Sequence, residues 1–201
     1  MSSNENASPR GPVPAASPEI RADPGAGRIR TPRLRLVAAT AALLRAELAG
    51  PDVLAGALGT GVPPDWPPEL YDRDAVLHSL AAAEASAHAP PRWGSWYVVE
   101  PSADGQSDTL AGVCGFHAPP AAEGDVEVGY SLLPAFRGRG YATEAVCALT
   151  SFAFTDPAVR RVVAETLPHL GASIRVMERA GFAPVDDPSS QEVVRYALAR
   201  P

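Results

Sequence analysis

The sequence predicts an α+β fold in which helices pack in layers against a mixed, partly antiparallel sheet. Three observations predict it. Apolar residues make up 46% of the 201 residues and charged residues 20%, which is typical of a globular chain. Three successive strand-like segments are joined by connections of hairpin length. Helical and strand-like segments then alternate to the end of the chain, which places helices on the faces of the sheet.

Residues 1–30 are predicted to form a flexible tail. They are rich in proline, with scattered serine, glycine, alanine and arginine, and they contain no aromatic residue and no apolar run. Such a segment buries too little surface to offset the entropy lost on ordering it. It also lacks the apolar stretch of a secretory signal. A folded domain is therefore expected over residues 31–201.

Helix-capping and helix-breaking residues predict the elements in the first half of that domain. Residues 34–37 alternate as a strand. Thr40 can cap the helix that follows, and Gly50-Pro51 ends it. A rigid proline-rich loop over residues 61–68 then separates a short helical piece from a helix with an apolar face over residues 72–87.

Changes in apolar spacing predict the second half. Aromatic and β-branched residues mark the first strand of a three-stranded meander, and helical spacing follows it. Gly181 is predicted to end the last helix in a left-handed conformation, with Phe182 packing back on Met177. In chain order, the predicted elements are a strand at 34–37, helices from 40, at 53–58 and at 72–87, strands at 96–99, 110–116 and 126–133, a helix at 137–154, a strand at 161–166, a helix at 172–180 and a strand at 193–198.

Charge and residue usage exclude several classes of function. The net charge is −6, and all 17 basic residues are arginine. Without lysine there is neither Schiff-base chemistry on lysine nor a phosphate loop that ends in Gly-Lys. The acidic balance argues against nucleic acid as a partner and favours cationic substrates. No apolar run reaches the roughly 18 residues of a membrane-spanning helix, so no membrane partner is expected.

Cysteine and histidine usage points to a metal-free cytoplasmic protein. Cys114 and Cys147 lie far apart in the sequence and form no redox or metal motif. Unpaired cysteines of this kind are typical of a reducing cytoplasm. The four histidines lack the spacing of metal ligands, so no metal is expected.

The segment from Glu127 to Glu144 carries the strongest chemical signal. It reads as a strand, a glycine-containing loop and the start of a helix. The N–H groups and the dipole of a helix start favour a phosphate or pyrophosphate. Gly138 and Gly140 allow the backbone to approach such a ligand closely, while the side chains of Arg137 and Arg139 add positive charge. A tight turn without a ligand is the alternative.

The identity of the nucleotide follows by elimination. A dinucleotide fold requires a third glycine where this chain has Thr143, and it requires an early βαβ unit. ATP binding by a phosphate loop requires lysine. The remaining candidate is the pyrophosphate of coenzyme A.

Four blocks of sequence resemble the GNAT superfamily of N-acetyltransferases. Arg137-Gly-Arg-Gly-Tyr-Ala142 is similar to its Gln/Arg-x-x-Gly-x-Gly/Ala acyl-CoA loop, and the surrounding sequence resembles the branch that contains ribosomal-protein N-terminal acetyltransferases. The blocks lie in the expected order between residues 31 and 182. They are Thr31-Pro-Arg-Leu-Arg-Leu36, Glu127-Val-Gly-Tyr130 through Glu144-Ala145, Ala164-Glu-Thr166 and Ser173-Ile-Arg-Val-Met-Glu-Arg-Ala-Gly-Phe182.

The resemblance implies a GNAT-like sheet whose two central strands splay apart to admit acetyl-CoA as the cosubstrate. Backbone groups of Leu132 and Leu133 would pair with the pantetheine amides. N–H groups of the loop would hold the pyrophosphate. The cofactor-binding residues implied in the loop are Arg137, Gly138, Arg139, Gly140, Tyr141, Ala142 and Thr143.

Direct transfer of the acetyl group to an amine requires a base, because the amine is mostly protonated at neutral pH. Glu127 is the candidate, since it lies at the position that resembles the catalytic glutamate of the histone-acetylating members. Alternation along the strand points Glu127 away from the face that carries Val126 and Val128. An ordinary polar residue on a half-exposed strand is the alternative interpretation. Glu123 and Asp125 are nearby alternatives in the preceding turn.

The leaving thiolate requires a proton or a hydrogen-bond donor. The positions that resemble the family's tyrosine and its asparagine hold Met177 and Leu170, so the usual acid and a usual contact with coenzyme A are absent. Ser173 resembles a serine proposed as the acid in the ribosomal-protein branch. A helix N-cap is the alternative role of Ser173. Tyr130, Tyr141 and direct attack without a dedicated acid are further alternatives.

The acceptor is expected to be a small amine or a protein N-terminus. Trp66, Trp96 and His117 are candidates for contact with it, with core packing or exposure to solvent as the alternatives. Transfer of a longer acyl group is compatible with the sequence, and homodimers are frequent in the family. The competing hypothesis is a non-catalytic acyl-CoA-binding regulatory module.

Overall fold

The computed structural model describes residues 20–23, 25–86, 91–103, 107–186 and 192–201. Over these residues the chain forms strands and helices in the predicted α+β arrangement. They are β1 Arg21–Asp23, β2 Arg28–Arg30, β3 Arg35–Ala38, α1 Ala41–Ala49, α2 Pro51–Leu58, α3 Arg73–Ala85, β4 Ser95–Glu100, β5 Thr109–Phe116, β6 Asp125–Leu132, α4 Tyr141–Ala153, β7 Arg161–Thr166, α5 Gly171–Arg179, β8 Ala183–Val185 and β9 Val194–Ala199. A short 3-10 turn, Pro134–Phe136, lies between β6 and α4.

The strands form one sheet in the order β1-β2-β3-β4-β5-β6-β7-β9-β8. Neighbouring strands are antiparallel, except that β6 and β7 are parallel. The parallel pair is joined by α4, because a parallel connection must cross over a face of the sheet. The predicted fold class is therefore confirmed.

Helices cover both faces of the sheet. On β4, Trp96 and Val98 belong to the core that includes α4, whereas Tyr97 and Val99 belong to the core with residues of α1, α2 and α3. Successive side chains of a strand point to opposite faces, so β4 is buried on both sides. Among the described helices, none combines the length and the mean hydropathy of a membrane span.

The predicted tail boundary at residue 30 is wrong. Arg28–Arg30 forms a strand that pairs with β3, and Ile29 is fully buried opposite Leu36. A single apolar residue between two arginines is too weak a local signal, and only the pairing partner makes it a strand. Residues 1–19 of the predicted tail lie outside the described residues.

Two further elements differ from the prediction. The helix predicted from residue 137 begins at Tyr141, because Gly138 and Gly140 adopt φ values of 76° and 81°, which interrupt helical geometry. Ala183–Val185 forms a short strand that pairs with β9. The sequence does not predict this strand, because it has only three residues and one of them is proline. The remaining predicted elements are confirmed to within a few residues.

The two central strands diverge after a short paired segment. Their register covers Asp125, Val126 and Glu127 of β6 against Arg161–Val163 of β7. Both strands continue beyond this register, β6 to Leu132 and β7 to Thr166. An opening between two strands therefore lies at the middle of the sheet.

Candidate functional site

Backbone groups of β6 face the opening between the two strands. The N–H of Leu133 donates to the carbonyl oxygen of Ala111, and that of His117 donates to Glu127. Hydrogen-bonding directions alternate along a strand, so the odd-numbered residues of β6 face β5 and the even-numbered ones face β7. Tyr130 and Leu132 therefore direct their backbone groups into the opening.

The prediction that Leu133 pairs with the cosubstrate through its backbone is therefore wrong. Its N–H is taken by β5, and its carbonyl oxygen accepts from Phe136 at 3.0 Å. The backbone of Leu132 faces the opening, and its carbonyl oxygen accepts from Arg137 Nε at 2.9 Å, so its pairing with the cosubstrate stays a prediction. Sequence reasoning weighed Tyr130 only as a proton donor and missed that its backbone groups face the opening, which its parity along the strand would have indicated.

The loop before α4 has the form of an anion site. The first bond within α4 runs from the Glu144 N–H to the Gly140 carbonyl oxygen, 3.0 Å away. The N–H groups of Tyr141, Ala142 and Thr143 thus have no acceptor within the helix, and the helix dipole adds positive potential there. A side chain on Gly138 would meet open space among the described residues, so the loop is accessible.

Arginine side chains surround this loop, each beside a carboxylate. Arg137 Nη2 lies 3.0 Å from Glu69 Oε2, and Arg139 Nη1 lies 3.4 Å from Glu100 Oε1. About half of the Arg137 and Arg139 side-chain surface is exposed, so both can reach a ligand. Their charge supports the predicted role of the loop.

Sequence reasoning missed Arg33 as a neighbour of the same loop. Its Nη1 donates to the carbonyl oxygen of Arg139 at 2.8 Å, and its guanidinium lies over the ring of Tyr141. The Glu144 carboxylate accepts hydrogen bonds from the backbone N–H and from Nε of Arg33. It also accepts one from Thr31 Oγ1 at 2.6 Å. The chain before β3 thereby fixes the loop and the start of α4.

A cavity of about 620 Å³ lies at the open end of β6 and β7. Three walls are residues 128–131 of β6, Glu165 and Thr166 of β7, and α3 with the segment before it. Leu70 lies at this wall with a φ of 63° and 93% of its surface exposed. The adjacent carbonyl of Glu69 accepts from Ser131 Oγ at 2.6 Å, which fastens this segment to β6.

Glu127 and His117 lie side by side at one end of the cavity. Glu127 Oε1 is 3.5 Å from His117 Nδ1, and the side chains are 31% and 64% exposed, respectively. His117 lines the cavity, as does Gly129, whereas Glu127 is not among the described lining residues. The predicted base is thus separated from the cavity by an imidazole.

Tyr130 and Ser173 meet on the opposite side of the opening. The Tyr130 hydroxyl oxygen is 2.9 Å from Ser173 Oγ and donates to the Ser173 carbonyl oxygen at 3.1 Å. Both residues line the cavity. Burial raises the pKa of Tyr130, while the bond to Ser173 lowers it by a smaller amount. Because Leu170 is the N-cap of α5, the N-cap role weighed for Ser173 is wrong.

Tyr141 and Met177 lie apart from the pair formed by Tyr130 and Ser173. The Tyr141 hydroxyl contacts Glu100 of β4 rather than the cavity, so the structure does not support it as an acid. Met177 is 1% exposed and packs in the core, one helical turn after Ser173.

The two tryptophan candidates do not line the cavity. Trp96 is 1% exposed and packs edge-to-face against Phe152, with 5.3 Å between ring centroids, so its assignment to the acceptor site is wrong. Trp66 donates from Nε1 to Glu47 Oε1 at 2.9 Å and packs against Tyr71. Tyr71 does line the cavity, so Trp66 supports a wall without contacting the cavity itself.

Glu47 is the half-buried centre of that wall. Besides Trp66, it accepts from Tyr97 at 2.6 Å and from Tyr71 at 3.2 Å. Burial is the main cause of a raised pKa for Glu47, and the three hydrogen bonds oppose it. Burial and the neighbouring carboxylate raise the pKa of both tyrosines. This cluster joins α1, the proline-rich loop and β4.

Metal ligands are not grouped in the described part of the chain. No cluster of three or more histidine, cysteine, aspartate or glutamate side chains there has the geometry of a metal site.

Comparisons with known proteins place the chain within one family. The family model described as an acetyltransferase (GNAT) domain matches residues 33–183. A protein of Bacillus licheniformis named uncharacterized N-acetyltransferase p20 is 32% identical over 77 residues, which are 38% of this chain. The match spans 43% of that relative's length.

Solved structures share the fold. RimL, a ribosomal L7/L12 alpha-N-protein acetyltransferase in an apo crystal form, aligns with a TM-score of 0.58 and 20% identity, covering 94% of this chain and 100% of its own. The microcin C7 self-immunity acetyltransferase MccE, in complex with acetyl-CoA and AMP, aligns with a TM-score of 0.57 and 14% identity. That alignment covers 85% of this chain and 94% of MccE.

Proposed function

Because the chain belongs to the GNAT family of acetyltransferases, we propose that it transfers the acetyl group of acetyl-CoA to the nitrogen of a primary amine. The observation that carries this proposal is the cavity at the open end of β6 and β7. One wall consists of the diverging strands, and another is α3. A thioester and an amine can therefore meet in one cavity, which lowers the entropic cost of their reaction.

The residues present fit acetyl-CoA, which supplies a reactive acetyl thioester. Free N–H groups at the start of α4, with Arg137 and Arg139 beside them, suit the pyrophosphate. The even-numbered backbone groups of β6, those of Tyr130 and Leu132, suit the pantetheine amides. Leu170 supplies no polar contact where the family has an asparagine, so the backbone carries more of the recognition.

The charge of the cavity wall formed by α3 favours a cationic acceptor. Asp74 is an exposed carboxylate of α3 that lines the cavity, and the whole chain has a net charge of −6. Opposite charge attracts a protonated amine into the cavity. RimL is named as an alpha-N-protein acetyltransferase, which supports a protein N-terminus as one class of acceptor beside a small amine.

Opposite sides of the cavity provide the two proton transfers. Tyr130 and Ser173 can donate to the leaving thiolate, because burial keeps the phenol protonated at neutral pH. Glu127 and His117 are the groups on the other side that can accept the amine proton. The chain thus offers an acid and a base for direct attack, without a covalent enzyme intermediate.

Calorimetry with acetyl-CoA followed by a thiol-release screen tests the proposal. The screen covers polyamines, amino sugars and peptides with free N-termini, and mass spectrometry identifies the acetylated nitrogen. Binding with turnover on either class of amine supports the enzyme and names its acceptor. Binding without turnover on any of them supports the regulatory module instead. Absence of binding contradicts both functions.

A further inference from the structure

We propose that Nε2 of His117 accepts the amine proton and that Glu127 is a positioning residue behind it. This inference rests on the proposed function, and it assigns the base of that same site. It differs from the expectation that the Glu127 carboxylate itself meets the amine.

The position of the imidazole between the carboxylate and the cavity carries the assignment. His117 lines the cavity, and its Nδ1 faces Glu127 Oε1 at 3.5 Å. The backbone N–H of His117 donates to the Glu127 carbonyl oxygen at 3.1 Å, so the two residues lie directly opposite each other. The ladder of β5 and β6 thereby sets the spacing of the two side chains.

Gly129 provides the space in which the ring lies. An added Cβ on Gly129 would be 2.8 Å from His117 Nε2, closer than real Cβ contacts. The ring therefore extends across position 129, with Nδ1 toward Glu127 and Nε2 toward the part of β6 that has left β7. Any side chain at position 129 would displace the nitrogen that we assign as the base.

The chemistry of the pair suits the reaction. A carboxylate beside Nδ1 favours a proton on Nδ1, which leaves the Nε2 lone pair free to accept. Imidazole is ordinarily a stronger base than a carboxylate, so it is better matched to an amine near neutral pH. Glu127 then stabilises the imidazolium that forms.

Atoms and charge balance in the transfer. The free amine nitrogen forms a bond to the acetyl carbon, and its proton passes to Nε2 of His117. The C–S bond breaks with its electron pair on sulfur, and the thiolate takes a proton from the hydroxyl pair of Tyr130 and Ser173, which then regains a proton from solvent. His117 afterwards releases its proton to solvent. The products are the amide and the free thiol of coenzyme A.

Other titratable groups of the cavity face the same space. They are Asp74 and His78 of α3, Tyr71, Cys114 of β5, Tyr130 of β6 and Glu165 of β7, the last of which is ion-paired with Arg195 at 2.7 Å. The experiment therefore has to isolate His117 from these neighbours by substitution.

Steady-state kinetics and pH profiles of variants test the assignment. We expect His117→Gln to lower kcat/KM by about 10²–10⁴-fold and to remove the acid limb of its pH profile, with acetyl-CoA affinity by calorimetry unchanged. Glu127→Gln should lower kcat/KM by less. The double variant should be no worse than His117→Gln alone, because the two residues act as one unit. His169→Gln and Glu178→Gln, both at exposed residues that do not line the cavity, are matched controls expected to retain wild-type kinetics.

Chemical rescue separates a base from a structural residue. Imidazole added to His117→Ala should restore part of the turnover, and Gly129→Ala should lower turnover in the wild type but not further in His117→Ala. A wild-type rate and pH profile in His117→Gln would overturn this assignment and leave the proposed function intact. If the wild-type protein binds acetyl-CoA yet acetylates no amine, the proposed function is wrong and this assignment with it.

Discussion

The Tyr130 hydroxyl oxygen of β6 lies 2.9 Å from Ser173 Oγ of α5, which joins one of the diverging strands to the helix that follows the other. Ser173 and Met177 are four residues apart on α5, so they lie on the same face of the helix. The hydroxyl pair is thus one turn from the position at which the family carries its tyrosine. The chain lacks that tyrosine but has a phenol nearby from another element.

Removing this pair should slow transfer without weakening acetyl-CoA binding. We expect Tyr130→Phe to lower kcat by about 10²-fold and Ser173→Ala by less, because each loses part of the donor for the thiolate. Burial raises the pKa of Tyr130, so this group should cause no alkaline loss of activity below about pH 10. Ser151→Ala, at an exposed serine of α4, is the matched control. Wild-type kcat in both variants would contradict a role in proton donation.

The left-handed glycines of the loop should be required for acetyl-CoA binding. Gly138 has a φ of 76°, at which a side chain costs roughly 1–2 kcal/mol, and a Cβ there extends into the accessible space of the loop. We expect Gly138→Val to weaken acetyl-CoA binding at least about tenfold by calorimetry.

Gly56→Ala serves as the control for that substitution. Gly56 lies inside α2, where a Cβ meets nothing within 4 Å of the described residues. Alanine there should raise the unfolding free energy by about 0.5–1 kcal/mol and leave binding unchanged. Equal binding by Gly138→Val and wild type would exclude the loop as the phosphate site.

The Glu144 carboxylate should be important for stability. It accepts from Thr31 and from two nitrogens of Arg33, and its side chain is 12% exposed. We expect Glu144→Ala to lower the unfolding free energy by about 1–3 kcal/mol in urea, because several donors lose their acceptor. Glu84→Ala breaks the exposed pair with Arg45 and should cost less than about 1 kcal/mol. Similar losses in both variants would show that burial of Glu144 is unimportant.

Glu47 should make the stability depend on pH. Burial raises its pKa above the ordinary 4.5, so the native state holds the proton more tightly than the unfolded chain. Its contribution is complete below about pH 4.5 and falls as pH rises through the raised pKa. The unfolding free energy of wild type relative to Glu47→Gln, measured in urea titrations, should therefore decrease as the pH rises above about 4.5. A difference that grows with pH would show that the hydrogen bonds outweigh burial.

Local signals predicted most elements and the loop before α4. Thr40 caps α1 through the Leu43 N–H, and Gly140 ends the loop at the start of α4, as residue type and spacing indicated. Weak or short elements failed, because the β1–β2 hairpin depends on pairing with β3. The direction of the Trp96 side chain is not predictable from the sequence, because a strand that is buried on both faces has no alternation of apolar and polar residues.

The sequence by itself determined the order of helices and strands, the fold class and the position of the loop before α4. These features depend on apolar spacing, caps and glycine conformation, all of which act within a few residues. Only the tertiary structure decided that His117 lies over Gly129 beside Glu127 and that Tyr130 meets Ser173. Such contacts join residues that are distant in the chain, and strand register and divergence determine which of them approach.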